Sequence, residues 1–241
     1  MTSGTASVIR FANVEVVVPV AGGSRTILAP LDLTLTERRI AVIGGNGSGK
    51  STLLRLLNGL IVPSAGSVTV DGLDTVADGR DVRRRVGFVF TDPLSQLVMP
   101  TPVEDVELSL RRTVRDRRAR TERALALLTE RGLGQVARSS VYDLSGGERQ
   151  LVALTSVLAV EPAVLVADEP TTLLDLRNRE LVRSALAALP QRVVLATHDL
   201  DLALDADRVL VVDQGRVVAD GEPAAAVTAY RRLVAQTPST P

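Results

Sequence analysis

One octapeptide constrains this chain more than any other stretch: Gly-Gly-Asn-Gly-Ser-Gly-Lys-Ser at residues 44–51. It follows the β-branched apolar run "RIAVI" and precedes "KSTLLRLLNGL", which carries apolar residues at helical spacing. A strand that passes through a glycine loop into a helix is the setting in which G-x-x-x-x-G-K-[ST] binds phosphate. The glycines let the backbone wrap closely round an anion and turn its N–H groups inward, and the helix adds its N-terminal dipole. Lys50 is the only lysine in a chain with 28 lysines and arginines. A compact ammonium suits a closed loop at the β- and γ-phosphates better than a broad guanidinium fork does. The expected nucleotide-binding set is Gly44, Asn46, Gly47, Ser48, Gly49, Lys50, Ser51 and Thr52, with the Ser51 hydroxyl also a Mg²⁺ ligand. The competing interpretation is a glycine turn before a core helix.

Composition limits what this loop can serve. The 241 residues suit one large domain or one domain with a small subdomain, and 45% hydrophobic residues supply a sizeable core. Formal charge is +0 and aromatics make up 2%. That balance argues against nucleic-acid coating and against base-stacking platforms. With no cysteine and one histidine, thiol catalysis, thiolate zinc sites and a multi-histidine metal site within one chain are excluded. No apolar run reaches membrane-spanning length, and "MTSGTAS" does not read as a signal peptide. Any membrane role is expected to come through a partner.

Strand-like runs ("VIRFANVEVVVP", "ILAPLDLTLTERRIAVIG", "GSVTVDG", "RVGFVFT", "AVLVAD", "RVVLAT") alternate with helical ones, and "RVLVVDQGRVVADG" reads as a hairpin. This predicts an α/β fold with a mostly parallel sheet and flanking helices, and a separate small helical subdomain in the arginine-dense insertion. Residues 101–141 read as an arginine-dense helical segment, and the polar ends 1–7 and 237–241 as loose tails. The boundaries expected are 1–94 for the first part of the ATP-binding core, 95–145 for the helical subdomain and 146–241 for the second part.

Two further motifs narrow the chemistry. "AVLVADEP" delivers Asp168 and Glu169 at the C-terminal end of an apolar strand, where ligands sit in open α/β sheets. Asp168 suits a hold on Mg²⁺, and Glu169 suits orienting or deprotonating an attacking water. Alone, the same string is an acidic turn before Pro170. "LSGGERQ" opens a helix with Ser145, Gly146, Gly147 and Glu148, which is either a second anion site or an ordinary N-cap.

The ordered set of a phosphate loop, "LSGGERQ", "VLVADEP", "TTLLDL" and "ATHDL" resembles the nucleotide-binding subunit of an ABC transporter across residues 8–221. The resemblance implies a P-loop NTPase core with an antiparallel β subdomain and a small helical subdomain, and a head-to-tail dimer, homo- or heteromeric, with ATP between one protomer's phosphate loop and the other's signature segment. It implies that Asp175 contacts the opposite protomer and that His198, the sole histidine, reaches the γ-phosphate. "VGFVFTDPLSQLVMPTPVEDVELSL" and "EPTTLLDLRNR" resemble the energy-coupling-factor type, which takes up biotin-like vitamins or transition metals such as cobalt or nickel. The partners so implied are a transmembrane coupling protein and a substrate-binding membrane protein, with the chain peripheral on the cytoplasmic face.

The chain departs from the family pattern at two places. Thr91 stands where relatives have a glutamine that touches Mg²⁺ and the attacking water; it is a candidate metal ligand with a shorter arm, and Asp92 follows it with Gln96 five residues on. Val18 stands where relatives stack an aromatic on adenine. The arginines between Arg111 and Arg123 form either a solvated helix face or a surface for an anionic partner. The rival functions are a soluble ABC-type ATPase and a regulator that uses ATP only to dimerise.

Overall fold

The computed structural model describes residues 8–172 and 174–236. The tails expected at 1–7 and 237–241 lie outside them.

Six strands form the central sheet: β3 (Arg39–Ile43), β6 (Val86–Val89), β7 (Val164–Asp168), β8 (Arg192–Ala196), β9 (Arg208–Asp213) and β10 (Arg216–Gly221). Their order is β10-β9-β3-β8-β7-β6, parallel throughout except for the β9–β10 hairpin. The interior strands are apolar at nearly every position because both faces are covered. Alternate residues feed two separate cores. Ile40, Val42, Val164, Val166, Val194, Ala196, Leu210 and Val212 face one cluster, while Ala41, Ile43, Leu165, Ala167, Val193, Leu195, Val209 and Val211 face the other.

The first face is covered by α1 (Lys50–Leu56) and a second sheet of β1 (Ile9–Val20), β2 (Gly23–Leu35), β4 (Ala65–Val70) and β5 (Leu73–Asp74). This antiparallel sheet runs in the order β2-β1-β4-β5. Leu53, Leu54, Leu56 and Leu57 lie in the cluster shared by the two sheets. The helix behind the phosphate loop is thereby fixed on its apolar side.

The second face carries α3 (Pro102–Leu110), α4 (Arg117–Glu130), α5 (Gly146–Leu158), α6 (Leu176–Ala187), α7 (Leu200–Leu204) and α8 (Pro223–Gln236). The arginine-dense segment is broken rather than continuous. Asp116 caps α4 by accepting from Ala119 N–H at 2.8 Å, and a 3-10 turn follows at Gly134–Val136. Arg111, Arg112, Arg115, Arg117, Arg118 and Arg123 are exposed, whereas Arg120 folds back to the carbonyls of Val114 and Arg115. Two elements that apolar periodicity did not announce are α2 (Gly79–Arg85) and the short α7.

A single buried carboxylate ties α3 to α5. Asp105 accepts from the N–H groups of Val98 (2.9 Å) and Met99 (3.2 Å) and from the Ser156 hydroxyl (2.7 Å). Removing it leaves three donors without this acceptor, the Ser156 hydroxyl in a buried setting and the two N–H groups in a half-buried one. Asp105→Ala is expected to cost about 2–4 kcal/mol, measured as a lowered urea midpoint. A midpoint equal to that of the unaltered chain would show that the three hydrogen bonds contribute nothing net.

Candidate active site

Neighbouring parallel strands end in the loops that carry the candidate chemistry. β3 runs into the phosphate loop, β8 into Thr197 and His198, β7 into Asp168 and Glu169, and β6 into Thr91. Val42, Ala196 and Asp168 share one register row. Four adjacent strands thus present these groups side by side at the sheet's C-terminal edge.

The phosphate loop demands glycine at its closest approaches. At Gly44 (φ 154°) a Cβ would lie 2.1 Å from the Val212 carbonyl oxygen. Gly49, at φ 111°, starts α1 from a left-handed conformation. Lys50 Nζ donates to the carbonyls of Gly44 (2.8 Å) and Gly45 (3.0 Å) and lies 3.8 Å from Glu169 Oε1. The ammonium is therefore held inside the loop, facing β7. Asn46, Gly47, Ser48 and Thr52 line the clefts on either side of it.

The Ser51 hydroxyl donates to Asp168 Oδ1 at 2.9 Å, and Arg55 lies 3.6 Å from Oδ2. Asp168 is 1% exposed. Its burial pushes the carboxyl above the usual range, against the pull of Ser51 and Arg55. A hydroxyl and a carboxylate side by side are hard oxygen donors that fit Mg²⁺, an ion that takes few protein ligands and fills its sphere with water and phosphate. No cluster of three or more acidic, histidine or cysteine side chains that could hold a metal occurs among the described residues.

Glu169 turns away from the strand at φ 51° and donates its N–H to the Ala196 carbonyl at 2.9 Å. A non-glycine residue in this region carries strain of about 1–3 kcal/mol. The turn brings its carboxylate to the sheet edge. There Oε2 accepts from the Thr172 hydroxyl (3.2 Å) and the His198 N–H (3.2 Å) and meets His198 Nδ1 at 2.7 Å. His198 is fixed by its neighbours. Thr197 N–H donates to the Val42 carbonyl, and Asp199 caps α7 through the N–H groups of Asp201 and Leu202.

Within the chain, the remaining candidates also hold structural partners. Thr91 donates its hydroxyl to the Asp168 backbone carbonyl at 2.9 Å, so it braces the turn at Asp168. Gln96 folds back onto Phe90 N–H (3.0 Å) and toward the Ala153 carbonyl, so it reads as scaffold. Ser145 and Glu148 satisfy one another: Ser145 Oγ accepts from Glu148 N–H at 3.3 Å, and Glu148 Oε2 accepts from Ser145 N–H at 2.8 Å. Asp175 caps α6 through Asn178 N–H at 2.8 Å. Neither Gly146 nor Gly147, nor the capping pair, nor Asp175 lies on the walls of the clefts against the phosphate loop.

Two side chains do reach those clefts without any motif to announce them. Arg25 pairs with Val18 across the β1–β2 hairpin and lines both clefts flanking residues 45–49. Tyr230, on α8, lines the cavity formed by Gly44, Gly45, Asn46, Thr91, Glu169, Thr172 and His198.

The model of the ABC transporter family matches residues 28–172. The chain belongs to the ABC transporter family. This ABC-type ATPase is 50% identical over 208 residues to a putative ABC transporter ATP-binding protein of Deinococcus radiodurans, covering 86% of this chain and 92% of that one. It is 44% identical over 216 residues to the biotin transport ATP-binding protein BioM of Rhizobium etli, covering 90% and 96%. Among solved structures, an ATP-binding cassette described as a dimer in a post-hydrolysis state with ADP and Pi matches with a TM-score of 0.81 and 29% identity, covering 89% and 98%. The cassette is most like the energy-coupling-factor type, and its architecture is that of a P-loop NTPase. No helix among the described residues is long and apolar enough to cross a membrane.

The raised Asp168 carboxyl has a consequence for stability. The folded chain holds this proton more tightly than the unfolded chain does. The group's contribution is therefore fully present below its unfolded pKa and is lost as pH rises through the folded one. The carboxylate, once ionised, costs stability. Asp168→Asn is expected to melt higher than the unaltered cassette at neutral pH, with the gap closing on acidification, while Mg²⁺-dependent nucleotide binding falls. A lower melting temperature for the variant at neutral pH would contradict this.

Proposed function

We propose that this cassette is the ATP-hydrolysing subunit of an energy-coupling-factor importer that takes up biotin or a similar vitamin, or a transition-metal ion. It works through a separate transmembrane coupling protein and a substrate-binding membrane protein, from a peripheral position on the cytoplasmic face. The likeness to the Rhizobium etli biotin transport protein over nearly the full length of both chains supports the vitamin reading.

The single observation that carries the ATPase chemistry is the convergence of Lys50, Ser51, Asp168, Glu169 and His198 at one sheet edge. Residues 44–52 hold the phosphates and Lys50 draws on the β/γ pair. Ser51 and Asp168 would hold Mg²⁺, which when bound supplies charge neutralisation at the terminal phosphates. Glu169 orients and deprotonates the attacking water, while His198 fixes the carboxylate from its far side and senses the γ-phosphate. In this reading Ser145, Gly146, Gly147, Glu148 and Asp175 complete the site from a second ATPase subunit, identical or related. The chain divides functionally at 1–94, 95–145 and 146–241.

On the base side, Arg25 lines the cleft beside the phosphate loop and pairs across the hairpin with Val18, the aliphatic residue that stands where relatives stack an aromatic. Stacking of a guanidinium on a base is worth about 1–2 kcal/mol. Arg25→Ala is therefore expected to weaken ATP and ADP together, about 5–30-fold by fluorescent-nucleotide titration. Unchanged affinity for both would remove Arg25 from the base side.

Glu169→Gln is expected to lower turnover about 10²–10⁴-fold while ATP still binds. A variant that hydrolyses ATP at the ordinary rate would remove Glu169 from the base role. ATP turnover with and without the membrane partner tests the transport assignment. Hydrolysis that the partner fails to stimulate would favour a soluble or regulatory ATPase that uses ATP-dependent dimerisation as a switch.

A further inference from the structure

The C-terminal helix α8 returns to the catalytic cavity, some thirty residues after the last motif. Its inward stripe runs through Ala226 and Val227 to half-buried Tyr230 and Leu233, at positions that share one helix face. The Tyr230 ring packs against the core on the helical side of the sheet. The same side chain forms part of the wall opposite Gly44, Gly45, Glu169 and His198 in a cavity of about 510 Å³.

Packing alone needs no oxygen at this position, since a phenylalanine or leucine would continue the stripe. Three other polar side chains on the wall are already engaged. Thr91 donates to the Asp168 carbonyl, Thr172 donates to Glu169, and His198 Nδ1 meets Glu169 Oε2. The Tyr230 hydroxyl has no hydrogen-bond partner among the described residues. Burial, with the Asp213 and Glu169 carboxylates nearby, pushes its pKa up, so at neutral pH the phenol keeps its proton and acts as a donor.

We propose that the Tyr230 hydroxyl donates a hydrogen bond to the terminal phosphate of ATP in this cavity, which makes the C-terminal helix part of the active site. This rests on the ATPase reading above. Charge spreads over the equatorial oxygens of the phosphoryl group as it transfers, and a fixed neutral donor stabilises it there without adding a competing cation. ADP has no group at that position, so the contact favours ATP over ADP.

Tyr230→Phe keeps the ring and removes only the oxygen. In this variant kcat is expected to fall about 10-fold and the preference for ATP over ADP to drop, with ADP affinity unchanged. A Tyr230→Phe cassette with the kcat and the ATP-to-ADP affinity ratio of the unaltered chain would overturn the proposal. So would a result in which only Tyr230→Ala is impaired, because that assigns the residue to ring packing. If the unaltered chain itself shows no turnover, the ATPase reading fails instead, and the affinity ratio of Tyr230→Phe still reads the contact.

Discussion

The site depends on the parallel pairing of β3, β8, β7 and β6. Backbone hydrogen bonds fix the lateral spacing of these strands, and their shared polarity sends every following loop to the same edge. Burial on both faces locks the register, because a one-residue slip would exchange Val164 and Val166 with Leu165 and Ala167 between two different cores. Lys50, His198, Glu169 and Thr91 are far apart in sequence and become neighbours only through this ladder. The candidate active site is thus an edge property of a sheet covered on both faces, and the antiparallel sheet behind α1 holds its phosphate loop in place.

Local free energy at that edge runs against stability. Burial of Asp168 disfavours its ionised form, and Glu169 holds a left-handed backbone conformation. Both costs are met by the surrounding strands, whose core residues are almost wholly buried. The outcome is a preorganised pair of carboxylates: one beside a hydroxyl that suits a divalent cation, the other aimed across the cavity and held by His198. Such preorganisation is what electrostatic catalysis requires, since the groups need not reorient during the reaction.

The signature segment shows a different economy. Ser145 and Glu148 cap α5 through each other, and Asp175 caps α6, so within one chain these motif residues already have a structural occupation. An N-cap and an anion site use the same helix-end N–H groups. A second ATPase subunit can therefore use a surface that also stabilises the isolated fold, with no separate element devoted to each role.

The α/β class, the phosphate loop, the acidic strand end and the hairpin at β9–β10 were legible in the residue pattern. Each is a local matter of side-chain period, glycine spacing or turn chemistry. The short α2 and α7 were not, because neither is long enough to set up a readable period. Thr91 and Gln96 were singled out by position, yet their partners are backbone carbonyls and amides of other elements, which no spacing reveals. Arg25 and Tyr230 had no signal at all. The sequence by itself determined that a phosphate loop and a carboxylate pair exist. Tertiary structure decided which side chains wall the cavity between them, because strand order and the return of α8 bring together residues far apart in sequence.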